Sequence, residues 1–213
     1  MTEILLIRHG ETLWNRQGRM QGQHDSPLTP LGLVQARQLA RRLKAVNFTA
    51  LYSSDLGRAH QTARCIADAT GHEIVADSGL RERSFGIFEG LTNGEIEKRH
   101  PDLHIRFAQR DPHFVMPDGE SAHQFRERCV GALERIAQRH AGETLVAVTH
   151  GLVLDALYRT ACGMALHVAR GFPLLNCSVN TFRYDAGRWV AVAVCDVTHL
   201  AGDDVTRFSD ANV

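Results

Sequence analysis

Two apolar runs in this chain break into the same kind of ending, ILLIRHG over residues 4–10 and LVAVTHG over residues 145–151. Each ends in a polar residue, a histidine and a glycine. A histidine one step beyond a buried strand is held by a rigid element, and the glycine after it lets a ligand approach the backbone without meeting a Cβ atom. Arg8 adds a permanent charge whose planar donor fork matches phosphate or carboxylate oxygens. One such ending is most simply a strand terminus pointing into water; two in one chain ask for a shared chemical purpose.

Two further segments carry groups of the same kind. In ALYSSDLGRAHQTA a strand runs through a turn into a helix, and Arg58 falls in or near the first helical turn, where free N–H groups and the positive dipole end attract anions. In LRERSFGIFEG, Glu82 follows an expected strand end and is a candidate general acid, although a glutamate between Arg81 and Arg83 is more often a surface ion pair. Together, Arg8, Arg58, His9, His150 and Glu82 describe a site for a tetrahedral dianion with a neutral imidazole, of ordinary pKa about 6.5, as nucleophile. That chemistry is phosphoryl transfer without a metal.

The elements that must position these groups are legible. EILLI near the start, ALYSS at 50–54, EIVA at 73–76 and TLVAVT at 144–149 are short continuous apolar runs, suited to strands buried on both faces of a parallel sheet. Thr29 and Pro30 form an N-cap and first-turn proline, after which Ala36, Leu39, Ala40 and Leu43 share a helical face. A second helix follows Leu56 and stops at Gly71. Thr92 and Glu95 form a capping box that opens a short helix in 92–110, and Ser121 caps a long helix ending near Gly142. A further helix, GLVLDALYRTA, follows the second histidine directly. SVNTFRYD and WVAVAV flank Ala186 and Gly187 as a hairpin closing the sheet. This alternation argues for an α/β fold with a mainly parallel sheet and one antiparallel strand, in which ligands bind beyond the carboxyl ends of the strands.

Composition narrows the function. The 213 residues fit one domain, expected to span 1–200 with a cap insert at about 91–120 and a polar C-terminal tail at 201–213. Lys+Arg and Asp+Glu are both 24, so there is no overall basic field to hold nucleic acid or an anionic membrane. The start is too short and uncharged for a secretory leader, and no run reaches the length of a membrane span, which points to a cytoplasmic protein. The five cysteines form no C-x-x-C pair and are expected as free thiols. There is no H-C-x5-R, D-x-D, phosphate-loop or H-E-x-x-H signature, and His100 and His104, at ligand spacing, flank Pro101 and are expected as cap and surface residues. No cofactor or metal is expected.

The blocks LIRHGETLWN, SSDLGRAHQTA, LRERSFGIFEGLT and VAVTHG, in this order, resemble the histidine phosphatase superfamily, which includes phosphoglycerate mutases. The resemblance implies a three-layer αβα sandwich, phosphorylation of His9, Arg8, Arg58 and His150 around the phosphoryl oxygens, and Glu82 as proton donor and then acceptor. It also carries over Asn15, Gln21, Gly22 and Gly151 as phosphate or substrate contacts. The stretch GRMQGQHDSPLTPLG, residues 18–32, is similar to the phosphatase branch, whereas glycolytic mutases typically have an asparagine-phenylalanine-glycine-tryptophan pattern there and a longer insert before the second histidine. Hydrolysis of a small phosphorylated metabolite is therefore the favoured expectation. A phosphoglycerate mutase is the alternative, and a non-catalytic phosphate-binding module is the non-enzyme one; the expected partner is a small phosphorylated metabolite, and the protein is expected as a monomer or homodimer. Gly57, His60, Ile87 and Phe88 depart from the pattern frequent in relatives, so the body of the substrate is left open. In the cap, Phe107, Phe114 and Met116 are expected to pack beneath a loop, and Arg106, Arg110 and His113 to face solvent.

Overall fold

The computed structural model describes residues 1–200; the expected tail, 201–213, lies outside them. In chain order the elements are β1 (Thr2–Arg8), α1 (Leu13–Gln17), α2 (Pro30–Leu43), β2 (Ala50–Ser53), α3 (Gly57–Thr70), β3 (Ile74–Ala76), α4 (Asn93–Arg99), α5 (Pro101–Ala108), α6 (Ala122–Arg139), β4 (Thr144–Thr149), α7 (Gly151–Cys162), β5 (Val179–Asp185) and β6 (Arg188–Asp196). The six strands form one sheet in the order β3-β2-β4-β1-β5-β6. Only β5 runs against the others, pairing antiparallel with both β1 and β6.

Burial on both faces explains why the strands read as unbroken apolar runs. Ile4 and Leu6 of β1 join Leu145 and Ala147 of β4 in a core beneath α6 and α7. Leu5 and Ile7 join Val146 and Val148 in a second core beneath α2 and α3. Three layers result, αβα, with the sheet in the middle.

The helix ends follow their local chemistry. Thr29 accepts from Gly32 N–H with Pro30 in the first turn of α2, and Gly71, at φ 80°, closes α3 in the left-handed conformation. Thr92 and Glu95 complete their capping box, but the segment holds two helices where one was expected. Pro101 cannot continue the α4 ladder, so the chain breaks at His100 and restarts as α5. Ser121 caps α6 in a box closed by Gln124. Phe85 and Phe88 join Ile96, Phe114 and Met116 of the expected cap segment in a small third core, against which Leu152 of α7 packs. Among the described residues all five cysteines are free, and no helix is long and apolar enough to cross a membrane.

Candidate active site

Register alone brings the two histidines together. Arg8 pairs with Thr149 across the parallel β1 and β4, and His9 N–H then donates to Thr149 O at 3.0 Å, so His9 and His150 leave adjacent strands side by side. Their ring centroids are 5.3 Å apart in an edge-on arrangement. On the other side of β4, Ser54 N–H donates to Val148 O at 2.9 Å, which brings the end of β2 to the same spot.

The His9 ring has one available tautomer. Its Nδ1 lies 2.8 Å from Gly10 O, an acceptor, so Nδ1 carries the proton and Nε2 keeps its lone pair. That lone pair receives Arg58 Nε–H at 3.3 Å. Burial, the Arg58 guanidinium and Arg8 hold the His9 pKa well below its ordinary value, so the ring is a neutral base. His150 is depressed in the same direction by burial, Arg58, His9 and Arg8.

Arg58 is the second residue of α3 and is buried to 1% exposure. Its fork is oriented by Gly22 O at 2.7 Å, His24 O at 2.8 Å and Asp25 Oδ1 at 3.3 Å. Gly57 explains one departure from the family pattern: a Cβ there would come within 2.0 Å of Asp25 Oδ2, so glycine makes room for the carboxylate that anchors Arg58. Gly22 has φ 54°, and a Cβ on it would meet Glu89 Oε1 at 2.0 Å. Arg8 is buried and donates Nη1 to Leu174 O.

Glu82 sits where expected, but on a different scaffold. It follows a 3-10 turn, Ser78–Leu80, rather than a strand end, because β3 stops at Ala76. The arginines on either side have other partners. Arg81 pairs with Asp55, Arg83 Nε donates to Glu120 O, and the Glu82 carboxylate accepts Arg83 N–H at 2.8 Å and Leu152 N–H at 3.1 Å. The second of these bonds puts the carboxylate at the N-terminus of α7, one turn of which begins at Gly151.

Arg8, His9, Asn15, Gln21, Gly22, Arg58 and Glu82 line one cavity of about 60 Å³. Thr12 N–H donates to Asn15 Oδ1 and the Thr12 hydroxyl to Gln21 Oε1 at 2.9 Å, which leaves both amide NH₂ groups to the cavity. Of the expected residues only His150 and Gly151 are not in the lining, although the His150 ring abuts His9.

Three features were not anticipated. Ser54 Oγ lies 2.8 Å from His150 Nε2, Asn176 Nδ2 donates to His9 O at 2.8 Å, and Cys177 N–H donates to Arg8 O at 3.0 Å. The role assigned to Gly10 also changes. A Cβ on Gly10 would meet Gly32 O at 2.5 Å, so its bareness serves the contact with the first turn of α2 and not ligand approach. His100 is a cap residue between α4 and α5, and His104 Nε2 lies 3.1 Å from Asn93 Oδ1, as surface and cap roles require.

Comparison with known proteins finds similar sequences and folds. The family model described as the histidine phosphatase superfamily (branch 1) matches residues 4–197. Phosphoglycerate mutase-like protein 4 of Arabidopsis thaliana is 41% identical over 202 residues, 93% of this chain and 86% of the relative. The solved structure of Bacillus stearothermophilus YhfR superposes with TM-score 0.86 at 37% identity, covering 93% of this chain and 99% of that one. A phosphoserine phosphatase from Entamoeba histolytica, solved in complex with phosphoserine, gives TM-score 0.83 at 32% identity over 94% of this chain and 100% of its own.

Proposed function

The chain belongs to the histidine phosphatase superfamily, and from that membership we propose that it hydrolyses the phosphomonoesters of small metabolites through a phosphohistidine at His9. The observation that carries this is the tautomer: Nδ1–H is committed to Gly10 O, so Nε2 keeps the nucleophilic lone pair, held by Arg58 Nε–H beside a cavity of about 60 Å³ that Arg8, Arg19 and Arg58 help to line.

In the first half-reaction, His9 Nε2 attacks phosphorus and the ester P–O bond breaks. Protonated Glu82 gives its proton to the leaving oxygen, and the alcohol departs. In the second, water attacks the phosphohistidine, its proton passes to the Glu82 carboxylate, the P–N bond breaks and His9 returns to its neutral form. Arg8, Arg58, His150 and the amides of Asn15 and Gln21 suit the charge that spreads over the three equatorial oxygens. The bond to Gly10 O takes up the partial charge that develops on Nδ1–H during phosphorylation.

Water as the acceptor, rather than a second phosphoglycerate, is supported by the short span between Glu82 and His150, 150 − 82 = 68 positions, and by the phosphatase-like stretch 18–32. A relative called a phosphoserine phosphatase is in line with it. The alternative, a mutase, has support in the mutase-like name of the Arabidopsis relative. A cytoplasmic setting fits the five free thiols.

The test is phosphate release from p-nitrophenyl phosphate in excess chelator, with acid quench to trap phosphoenzyme. Wild type is expected to form an acid-labile adduct and His9→Ala to lose both adduct and turnover. Retained hydrolysis by purified His9→Ala rejects the nucleophile. Isomerisation of 3-phosphoglycerate that depends on 2,3-bisphosphoglycerate and outpaces phosphate release decides for the mutase.

A further inference from the structure

The phosphoryl cavity is not the largest chamber in the molecule. A second one, of about 360 Å³, opens between the cap and the α6–α7 face, within the range of small-molecule sites. Its walls include Phe107, Phe114 and Phe125. The two chambers meet at Leu152, whose residue lines both and whose N–H holds Glu82. A leaving oxygen protonated by Glu82 is thus released at the mouth of the aromatic chamber.

Arg83 stands at the same junction. Its guanidinium carbon lies 5.5 Å from the ring centre of Phe85, which lines the phosphoryl cavity, and 5.8 Å from that of Phe107, which lines the larger one. The side chain is 8% exposed, and its one hydrogen bond among the described residues is Nε to Glu120 O at 3.0 Å. The terminal Nη groups therefore bring donors and a charge to the chamber without a carboxylate bonded to them. Burial pushes the pKa of this arginine down to about 10, so the cation is held in a poorly solvated place and still charged at neutral pH. A buried guanidinium with an open fork is a device for a planar anion. On α7, the lining residue Asp155 is held by Arg159, whose Nε donates to Oδ2 at 2.7 Å.

Building on the hydrolase reading, we infer that the alcohol half of the substrate is a bulky aromatic or apolar body bearing a carboxylate, seated in the chamber beside Phe107 with the carboxylate on the Arg83 fork. A three-carbon acid fills only a fraction of about 360 Å³, so the chamber selects a larger phosphomonoester than phosphoglycerate.

Three kinds of aryl ester test this: phenyl phosphate, 2-naphthyl phosphate and a set of ring-carboxylated 2-naphthyl phosphates. Wild type is expected to prefer the best carboxylated isomer over 2-naphthyl phosphate by at least about tenfold in kcat/KM, the yield of one charge-assisted pair. Arg83→Met should bring that ratio close to one. Arg83→Lys, which keeps charge but not the fork, should retain only part of it. Ala122→Phe, which narrows the chamber from the start of α6 and retains the arginine at 83, should lower the naphthyl-to-phenyl ratio and covers the case in which Arg83→Met does not fold. Calorimetry of the unphosphorylated carboxynaphthol and naphthol on His9→Ala separates this inference from catalysis. Equal affinity for the two, or a wild-type preference of one, overturns the chamber assignment even if hydrolysis is robust. Absence of phosphate release from every ester overturns the hydrolase reading, and carboxylate-selective binding would then still uphold the chamber.

Discussion

Ser54→Ala is the substitution whose outcome depends most directly on the proton arrangement of the site. Ser54 Oγ accepts Leu56 N–H at 3.3 Å and lies 2.8 Å from His150 Nε2. Leu56 N–H takes one lone pair of the hydroxyl, and His150 Nε2 is the acceptor within reach of its buried proton among the described residues, so the hydroxyl donates to Nε2 and the His150 proton sits on Nδ1. That atom is buried and has no partner, the state expected of a donor waiting for a phosphoryl oxygen. Because burial and the nearby arginines keep His150 neutral, its ability to donate into the site rests on this tautomer. Removing the hydroxyl leaves Nε2 buried without a partner, a cost of about 1–3 kcal/mol in stability, and frees the ring to place its proton on the wrong nitrogen. Removing a whole transition-state donor costs on the order of 100-fold or more in rate. Loss of orientation alone is expected to cost roughly 10- to 100-fold in kcat, with a smaller change in KM. A double-mutant cycle gives the assay, steady-state hydrolysis of p-nitrophenyl phosphate by Ser54→Ala, His150→Ala and the double variant. The double variant should be no slower than His150→Ala. If the two losses multiply, Ser54 acts through packing and not through His150, and the tautomer assignment is wrong.

Two further outcomes follow from burial. Since His9 and His150 have folded pKa values below the ordinary 6.5, the unfolded chain binds protons the folded one refuses; their stabilising contribution is full above about pH 6.5 and is lost as pH falls towards the depressed values. Each should steepen the fall by about 1.4 kcal/mol per pH unit, so urea midpoints between pH 7.5 and 5 should decline less steeply for His150→Gln than for wild type, and parallel slopes would refute a neutral buried ring. Gly10→Ala should destabilise by about 1–3 kcal/mol and slow turnover, because its Cβ would meet the rigid Gly32 O at 2.5 Å and push β1 from α2; thermal melts unchanged from wild type would show that this contact yields freely.

The layers and most element ends were legible because each is dictated locally. TLVAVT is strand β4 residue for residue, and Thr29 with Pro30 starts α2 where an N-cap and a ring-fixed φ require. The five central site residues were legible in the same way, since four of them lie within two residues of an element end. What the sequence hid is non-local. Ser54 is 96 positions from His150 and Asn176 is 167 from His9, and no spacing rule connects them before the β2-β4-β1 order is known. The single helix expected in 92–110 failed for a readable reason, Pro101, whose ring ends α4.

Glu82 and Arg83 show how a local rule is overturned by tertiary structure. RER in a polar stretch has the look of a solvated charge cluster, and for Arg81 that view holds, because it pairs with Asp55 at the surface. For its neighbours it fails. The 3-10 turn at Ser78–Leu80 delivers the chain beneath α7, where the first N–H groups of the helix need an acceptor, and Glu82 supplies one. The next residue, Arg83, lies between Phe85 and Phe107, where burial disfavours its charge and Glu120 and Glu82 offset only part of that cost. The same turn that places Glu82 in the lining of the smaller cavity therefore buries the Arg83 guanidinium beside the larger chamber. On the proposed mechanism, catalysis and selection of the leaving group are coupled through the Glu82–Arg83 peptide bond, and a substitution that moves the turn should alter both rate and preference together.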